Sequence, residues 1–225
     1  MIVADRKPLD EILLSVAGFK KIMVMGCGGC VTVCLSGGAK AAEILAAEVR
    51  MSRQKAGNPI ETVLNTPERQ CEHEFIDAPK KEIDEAEAVL STACGVGVQA
   101  MAERYPDKVV VPALNTKFMG YPTSHGLWEE RCAGCGDCVL EWTGGQCPIA
   151  RCAKKLLNGP CGGSHSGLCE VSTKENEVPC VWQLIHDRLT RLGKLDNLKV
   201  VRAPKDWRTS TNAGQRKVRF EEAEI

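Results

Sequence analysis

Cysteine supplies most of the chemistry this sequence can do. Cys132, Cys135 and Cys138 are spaced C-x2-C-x2-C, and Cys147 is followed at once by Pro148. Sulfurs two residues apart cannot pair with one another in an open geometry, but they can converge on one metal centre. Gly134 and Gly136 let the backbone bend tightly around it. A C-x2-C-x2-C run followed by C-P is the grammar of 4Fe–4S ligation in bacterial ferredoxins. Eight residues, instead of three, separate Cys138 from Cys147, so the fourth ligand stays open, with Cys180 a remote candidate. Cys147, Cys152, Cys161 and Cys169 then make a second possible set of four. Zinc is the rival metal, since a structural zinc site also takes four cysteines. The third cysteine at the same short interval favours a cluster at Cys132 to Cys138, whereas the wider gaps of the second set leave zinc open there.

A further group lies near the N-terminus. Cys27, Cys30 and Cys34 are spaced C-x2-C-x3-C inside a turn reading GCGGCVTVCLSGG, and Cys94 and Cys71 stand alone. The turn lacks a G-x-G-x-x-G fingerprint, which argues against dinucleotide binding there. Two readings remain for its thiols: metal ligands, or small buried side chains that simply pack. His73, His125, His165 and His186 share no metal-ligand spacing and read as surface residues. No nucleophile–base pair, paired carboxylates or phosphate loop is recognisable, so no catalytic residue is assigned.

Composition bounds the class. The 225 residues carry 29 basic and 29 acidic side chains, so bulk charge favours neither nucleic acid nor an anionic membrane. No apolar run reaches the roughly 20 residues of a membrane span. The N-terminal stretch lacks the layout of a signal peptide, and 13 cysteines, an odd number, suit metal ligation in a reducing cytoplasm better than full disulfide pairing.

The elements that must position the thiols follow from periodicity. Residues 8–17 predict a helix with Leu9, Ile12, Leu13 and Val16 on one face. Residues 21–25 (KIMVM) predict a strand, ended by Gly26, Gly28 and Gly29, and residues 38–50 a helix. Strands are expected at 60–64, 88–92 and 109–114, with a helix at 98–105. Nearly continuous apolar runs alternating with helices give an α/β domain over 1–114, a small three-layer parallel sheet with the strand at 88–92 beside that at 21–25. Ligands of such sheets gather beyond the carboxyl ends of the strands. That rim would collect Cys27, Cys30, Cys34 and Cys94 around one cluster, with Cys71 in reserve. Residues 115–130 read as an irregular linker, and 131–193 as a cysteine-rich iron–sulfur module. In the module, 148–157 is a helix. An amphipathic helix bearing Val181, Leu184, Ile185, Leu189 and Leu192 would pack it onto a neighbour. Residues 194–225 are too polar to bury a core of their own. They read as a disordered or partner-binding tail, with Trp207 as its anchor.

CP-x3-CAKKLLNGPCGGSHSGLCEV, then PCVWQLIHDRLTRLG, resembles the C-terminal domain family associated with methylenetetrahydrofolate reductases. KIMVMGCGGCVTVC and STACGVGVQ extend the likeness, over about residues 8–193, to the MetV-type small subunits. The resemblance implies an electron-transfer subunit with two to three 4Fe–4S clusters. Its partner would be a MetF-like TIM-barrel flavoprotein carrying FMN or FAD. That subunit reduces methylene-tetrahydrofolate to methyl-tetrahydrofolate in the Wood–Ljungdahl pathway. Electrons would come from ferredoxin or a further subunit. The alternatives are a zinc-bearing structural or maturation subunit and an iron–sulfur redox sensor; the neutral chain lacks the basic face a DNA-binding sensor would use.

Overall fold

The computed structural model describes residues 1–210 and divides the chain into two compact units, Met1–Glu130 and Arg131–Ile225. The first contains strands β1 (Ile2–Arg6), β2 (Lys21–Met25), β3 (Glu61–Asn65), β4 (Ala88–Ser91), β5 (Val109–Pro112), β6 (Leu114–Ser124) and β7 (Leu127–Cys132), the last running on into the second unit. Its helices are α1 (Leu9–Ser15), α2 (Cys30–Val33), α3 (Ala39–Lys55), α4 (His73–Asp77), α5 (Lys80–Glu85) and α6 (Gly95–Arg104).

β2–β5 form a parallel sheet in the order β3-β2-β4-β5, with β2 pairing β4 from Ile22↔Ala88 to Met25↔Ser91. The apolar run of β2 is continuous because both faces are covered. Ile22 and Val24 face the core made with Ile12, Val16, Ala42, Leu45 and Val49 of the α1–α3 side. Met23 and Met25 face Ile76, Ile83 and Met101 of α4, α5 and α6. Arg53 near the end of α3 is almost fully buried, and its guanidinium donates to the carbonyls of Asn58, Val16 and Phe19, tying α3 to the end of α1.

The stretch 115–130 is not an irregular linker. The chain leaves the parallel sheet after Pro112 and enters an antiparallel one, order β1-β6-β7, in which β6 pairs β1 from Leu114↔Arg6 to Met119↔Ile2. Gly120, Pro122 and a mostly exposed face hide β6 from a periodicity reading. Its partner β1 lies more than a hundred residues away in sequence, so no local signal announces the pairing.

In the second unit the helix expected over 148–157 is only α7 (Pro148–Arg151), and the amphipathic helix is α8 (Val181–Arg191). Val181, Trp182, Ile185 and Leu189 of α8 are buried within this unit, so the apolar face serves the unit's own core. Burying each of these larger side chains contributes about 1.5–3 kcal/mol. The polar segment beyond α8 also differs from expectation. Residues 194–210 fold back on their own unit through 3-10 turns at Leu195–Lys199 and Trp207–Thr209. Asn197 donates to the Trp142 carbonyl, and Asn158 and Arg202 exchange a pair of hydrogen bonds at 2.8 Å. The Lys155 ammonium sits 5.8 Å from the ring centre of Trp207, the residue expected to anchor a partner. Residues 211–225 of the expected tail lie outside the described residues. Among the described residues no helix is long and apolar enough to cross a membrane.

Candidate functional site

The carboxyl ends of β3, β2 and β4 lie side by side, and the loops that leave them pack on one another. The turn after β2 is bonded to the loop after β3: Gly26 N–H donates to Asn65 O at 2.8 Å and Gly28 N–H to Pro67 O at 2.9 Å. Gln70, fully buried, joins all three strand ends. Its amide Nε2 donates to Met25 O at 2.9 Å and Gly26 O at 2.6 Å, and its Oε1 accepts from Ser91 Oγ at 2.7 Å. Gly37 closes the other side. Its carbonyl accepts from Cys27 N at 3.0 Å and from Thr92 Oγ1 at 2.6 Å. A side chain there would run into the Thr92 carbonyl, 1.9 Å from where its Cβ would stand.

This frame carries the N-terminal cysteines. Cys27 is buried with Val31, Ala93 and Leu114, and Cys30 opens α2. Cys94 occupies the N-cap position of α6 and packs against the same cluster. Cys71 follows Gln70 directly. It is solvent-exposed as a residue, yet partial burial of its thiol is the largest influence and pushes the thiol up. The charges of Cys27 and Cys94 push it the same way. Cys34 packs with Cys94 against the cluster that holds Cys27, and its Sγ also lies 3.1 Å from Ser36 Oγ, with the carbonyls of Val31 and Ala4 at 3.7 and 3.9 Å. The rim therefore gathers Cys27, Cys34 and Cys94 in one cluster, with Cys71 in the neighbouring loop; the sulfur of Cys34 is also engaged by its own turn and by β1.

In the second unit, Gly134 and Gly136 both have positive φ, as the tight C-x2-C-x2-C loop requires. Gly134 N–H points at Cys132 Sγ at 3.4 Å. The end of the described chain clamps this loop. Thr209 Oγ1 donates to Cys135 O at 2.9 Å, and Lys205 Nζ, its side chain 4% exposed, donates to Asp137 O at 2.8 Å.

A second thiol cluster surrounds a cavity of about 10 Å³ lined by Cys152, Cys161, Cys169 and Cys180 with Ser164, Glu170 and Trp182. Cys147 is not among its lining residues. Cys180, the N-cap residue of α8, is buried. Burial pushes its thiol up, but the Ser164 hydroxyl and the N–H groups of Gln183 and Trp182 outweigh that and hold it below its ordinary value, although Sγ closes no regular capping bond. Gly163 N–H points at Cys161 Sγ at 3.4 Å. Among the described residues no three His, Cys, Asp or Glu side chains converge closely enough to form a finished metal site. The fit of metal to either unit therefore rests on the donor types and on the frames that hold them.

Gln70, Ser164, Trp182 and Lys205 are functional candidates that sequence reasoning passed over. Gln70 sits in the polar stretch RQCEHEF, and only its place immediately before Cys71 hinted at a role. A family model described as methylene-tetrahydrofolate reductase C terminal matches residues 111–208. No curated protein and no solved structure matches the chain.

Proposed function

We propose that this chain, whose residues 111–208 match the methylene-tetrahydrofolate reductase C-terminal family model, is the MetV-type electron-transfer subunit of such a reductase, delivering electrons to the flavin of a MetF-like partner. The observation that carries the reading is the rim of the parallel sheet. There Cys27, Cys71 and Cys94 stand in the loops that leave three adjacent strands, within a frame fixed by Gln70. With Cys30 of the same turn they make a four-thiol donor set that suits a 4Fe–4S cluster. This replaces Cys34 of the sequence-based set by Cys71. Cys132, Cys135 and Cys138, with Cys147 of the Cys-Pro pair, make the second set.

Such clusters, when bound, supply one-electron exchange. The chain's own residues hold and tune them. Gln70 and Gly37 keep three loops in register. Gly134 N–H points at Cys132 Sγ, and hydrogen bonds to ligand sulfur are among the features that set cluster potential. Thr209 and Lys205 hold the backbone carbonyls of the second loop and so fix its shape. The flavin and the folate reduction belong to the partner.

The test is anaerobic preparation of the full chain, with iron and sulfide analysis and an EPR spectrum of the dithionite-reduced protein. Two clusters correspond to about 8 Fe and as much sulfide per chain. A chain that holds zinc alone, with no EPR signal on reduction, would return the structural-subunit reading.

A further inference from the structure

The reading above uses eight cysteines and leaves five, four of which line one cavity: Cys152, Cys161, Cys169 and Cys180. We infer that these four cysteines form a separate site for a single zinc-type divalent cation, a structural centre that carries no electrons. The inference does not depend on the electron-transfer reading.

Size is the first argument. At about 10 Å³ the space between these side chains is that of one water-sized guest. A lone ion fits there, whereas a cube of irons and sulfides would have to push the thiols apart. Zinc is the metal that four thiolates in a closed tetrahedral arrangement suit best, and such sites hold folds together.

Construction is the second argument. The four thiols come from separate stretches that the fold locks together. Cys169 N–H donates to Val178 O at 2.7 Å and Cys180 N–H to Gly167 O at 2.8 Å, so a short antiparallel ladder, with bridges His165↔Leu168 and Leu168↔Pro179, holds Cys169 and Cys180. Cys152 caps the end of α7 and packs against the cluster of Cys180, Val181 and Trp182.

The surroundings suit thiolates, whose charge four together with one divalent cation do not cancel. Gly163 N–H points at Cys161 Sγ. Lys154 pairs with Glu170, whose carboxylate also accepts from Cys161 Sγ at 3.7 Å. Trp182, buried and lining the same cavity, has an indole N–H with no partner among the described residues, a donor available to a charged sulfur. Polar donors around metal-bound thiolates are how proteins orient and stabilise such ligands. The unit also has a small apolar core around α8, and small cores commonly need a staple.

The experiment is elemental analysis of the full chain purified anaerobically, wild type beside Cys161→Ser, Cys180→Ser and Cys147→Ser. The wild type should hold about one zinc per chain. Cys161→Ser and Cys180→Ser should each lower zinc several-fold and keep the iron of both clusters, and Cys147→Ser should keep the zinc. If Cys180→Ser loses iron instead, or if Cys147→Ser loses zinc while Cys180→Ser retains it, the grouping is wrong. Should the serine variants fail to fold, cobalt replacement of the wild-type metal decides. Intense visible bands of tetrahedral cobalt with sulfur charge transfer are expected, and a protein whose metal content and spectrum show no such cobalt site would overturn the assignment.

Discussion

Replacing Gln70 by methionine keeps the length of a fully buried side chain and removes its polar atoms. Three buried hydrogen bonds disappear: to Met25 O, to Gly26 O and from Ser91 Oγ. Met25 O keeps the N–H and hydroxyl of Thr92, and Ser91 Oγ still accepts from Ala93 N–H, so the Gly26 carbonyl is the group most exposed to the loss. Each bond is worth about 1 kcal/mol, and an abandoned buried acceptor adds about 1 kcal/mol or more, giving about 4 kcal/mol for the substitution. At about 2–4 °C per kcal/mol, the melting transition of the first unit should fall by roughly 10 °C. The same three strand ends carry Cys27, Cys71 and Cys94, so iron retention by Gln70→Met should fall before the sheet melts. Calorimetry of the metal-free chain and iron analysis of the loaded one read the two effects separately. A variant that melts within about 2 °C of wild type and keeps its full iron would refute the frame assigned to Gln70.

Cys71→Ser should lose about four Fe per chain while Cys34→Ser keeps them, because the sulfur of Cys34 is engaged by Ser36 and β1; the opposite result would restore the set Cys27, Cys30, Cys34 and Cys94. Lys205→Ala removes a hydrogen bond from a charged donor to Asp137 O and should speed iron loss from the second unit to a chelator several-fold. Equal rates would show that the clamp does not hold the loop. Acid should reveal Asp77, whose carboxyl is held below its usual range first by its hydrogen bonds from Arg104 and further by Tyr105. A depressed folded value means stability that is present above the unfolded carboxylate value, near ~3.9, and is lost as pH falls through the folded one. The urea midpoint of Asp77→Asn should therefore drop less than that of wild type between neutral pH and pH ~3; parallel drops would remove Asp77 from the account.

What the sequence made legible follows from where each signal is local. The KIMVM run, the glycines that end it and the Ala-, Glu- and Leu-rich helix after it specify a strand–turn–helix without outside information, and β2 and α3 lie there. The short apolar run at 88–91 is expected beside β2, and it pairs there in parallel. β1, β6 and β7 were not legible, since β1 pairs with a strand over a hundred residues away and β6 presents mostly exposed side chains. The apolar stripe of α8 was plain, but periodicity cannot say whether a stripe faces its own unit or a partner; Trp182, Ile185 and Leu189 turn inward. The polar segment after Lys194 orders through hydrogen bonds to backbone carbonyls of Trp142, Asp137 and Cys135, which composition does not register. Cysteine spacing could not show that Cys180 sits with Cys152, Cys161 and Cys169, because that company is set by the ladder at 165–180.

The central claim is that this chain delivers electrons to a flavin on another subunit. The direct measurement is anaerobic stopped-flow mixing of the reduced full chain with the oxidised MetF-like flavoprotein, following the broad cluster absorption and the flavin band together. The account predicts that the clusters are reoxidised as the flavin is reduced, at a rate no slower than turnover, and that the Cys71→Ser chain slows the transfer at least tenfold. Flavin reduction that proceeds at full rate with a chain stripped of iron, or clusters that stay reduced in the presence of the oxidised flavoprotein, would contradict it.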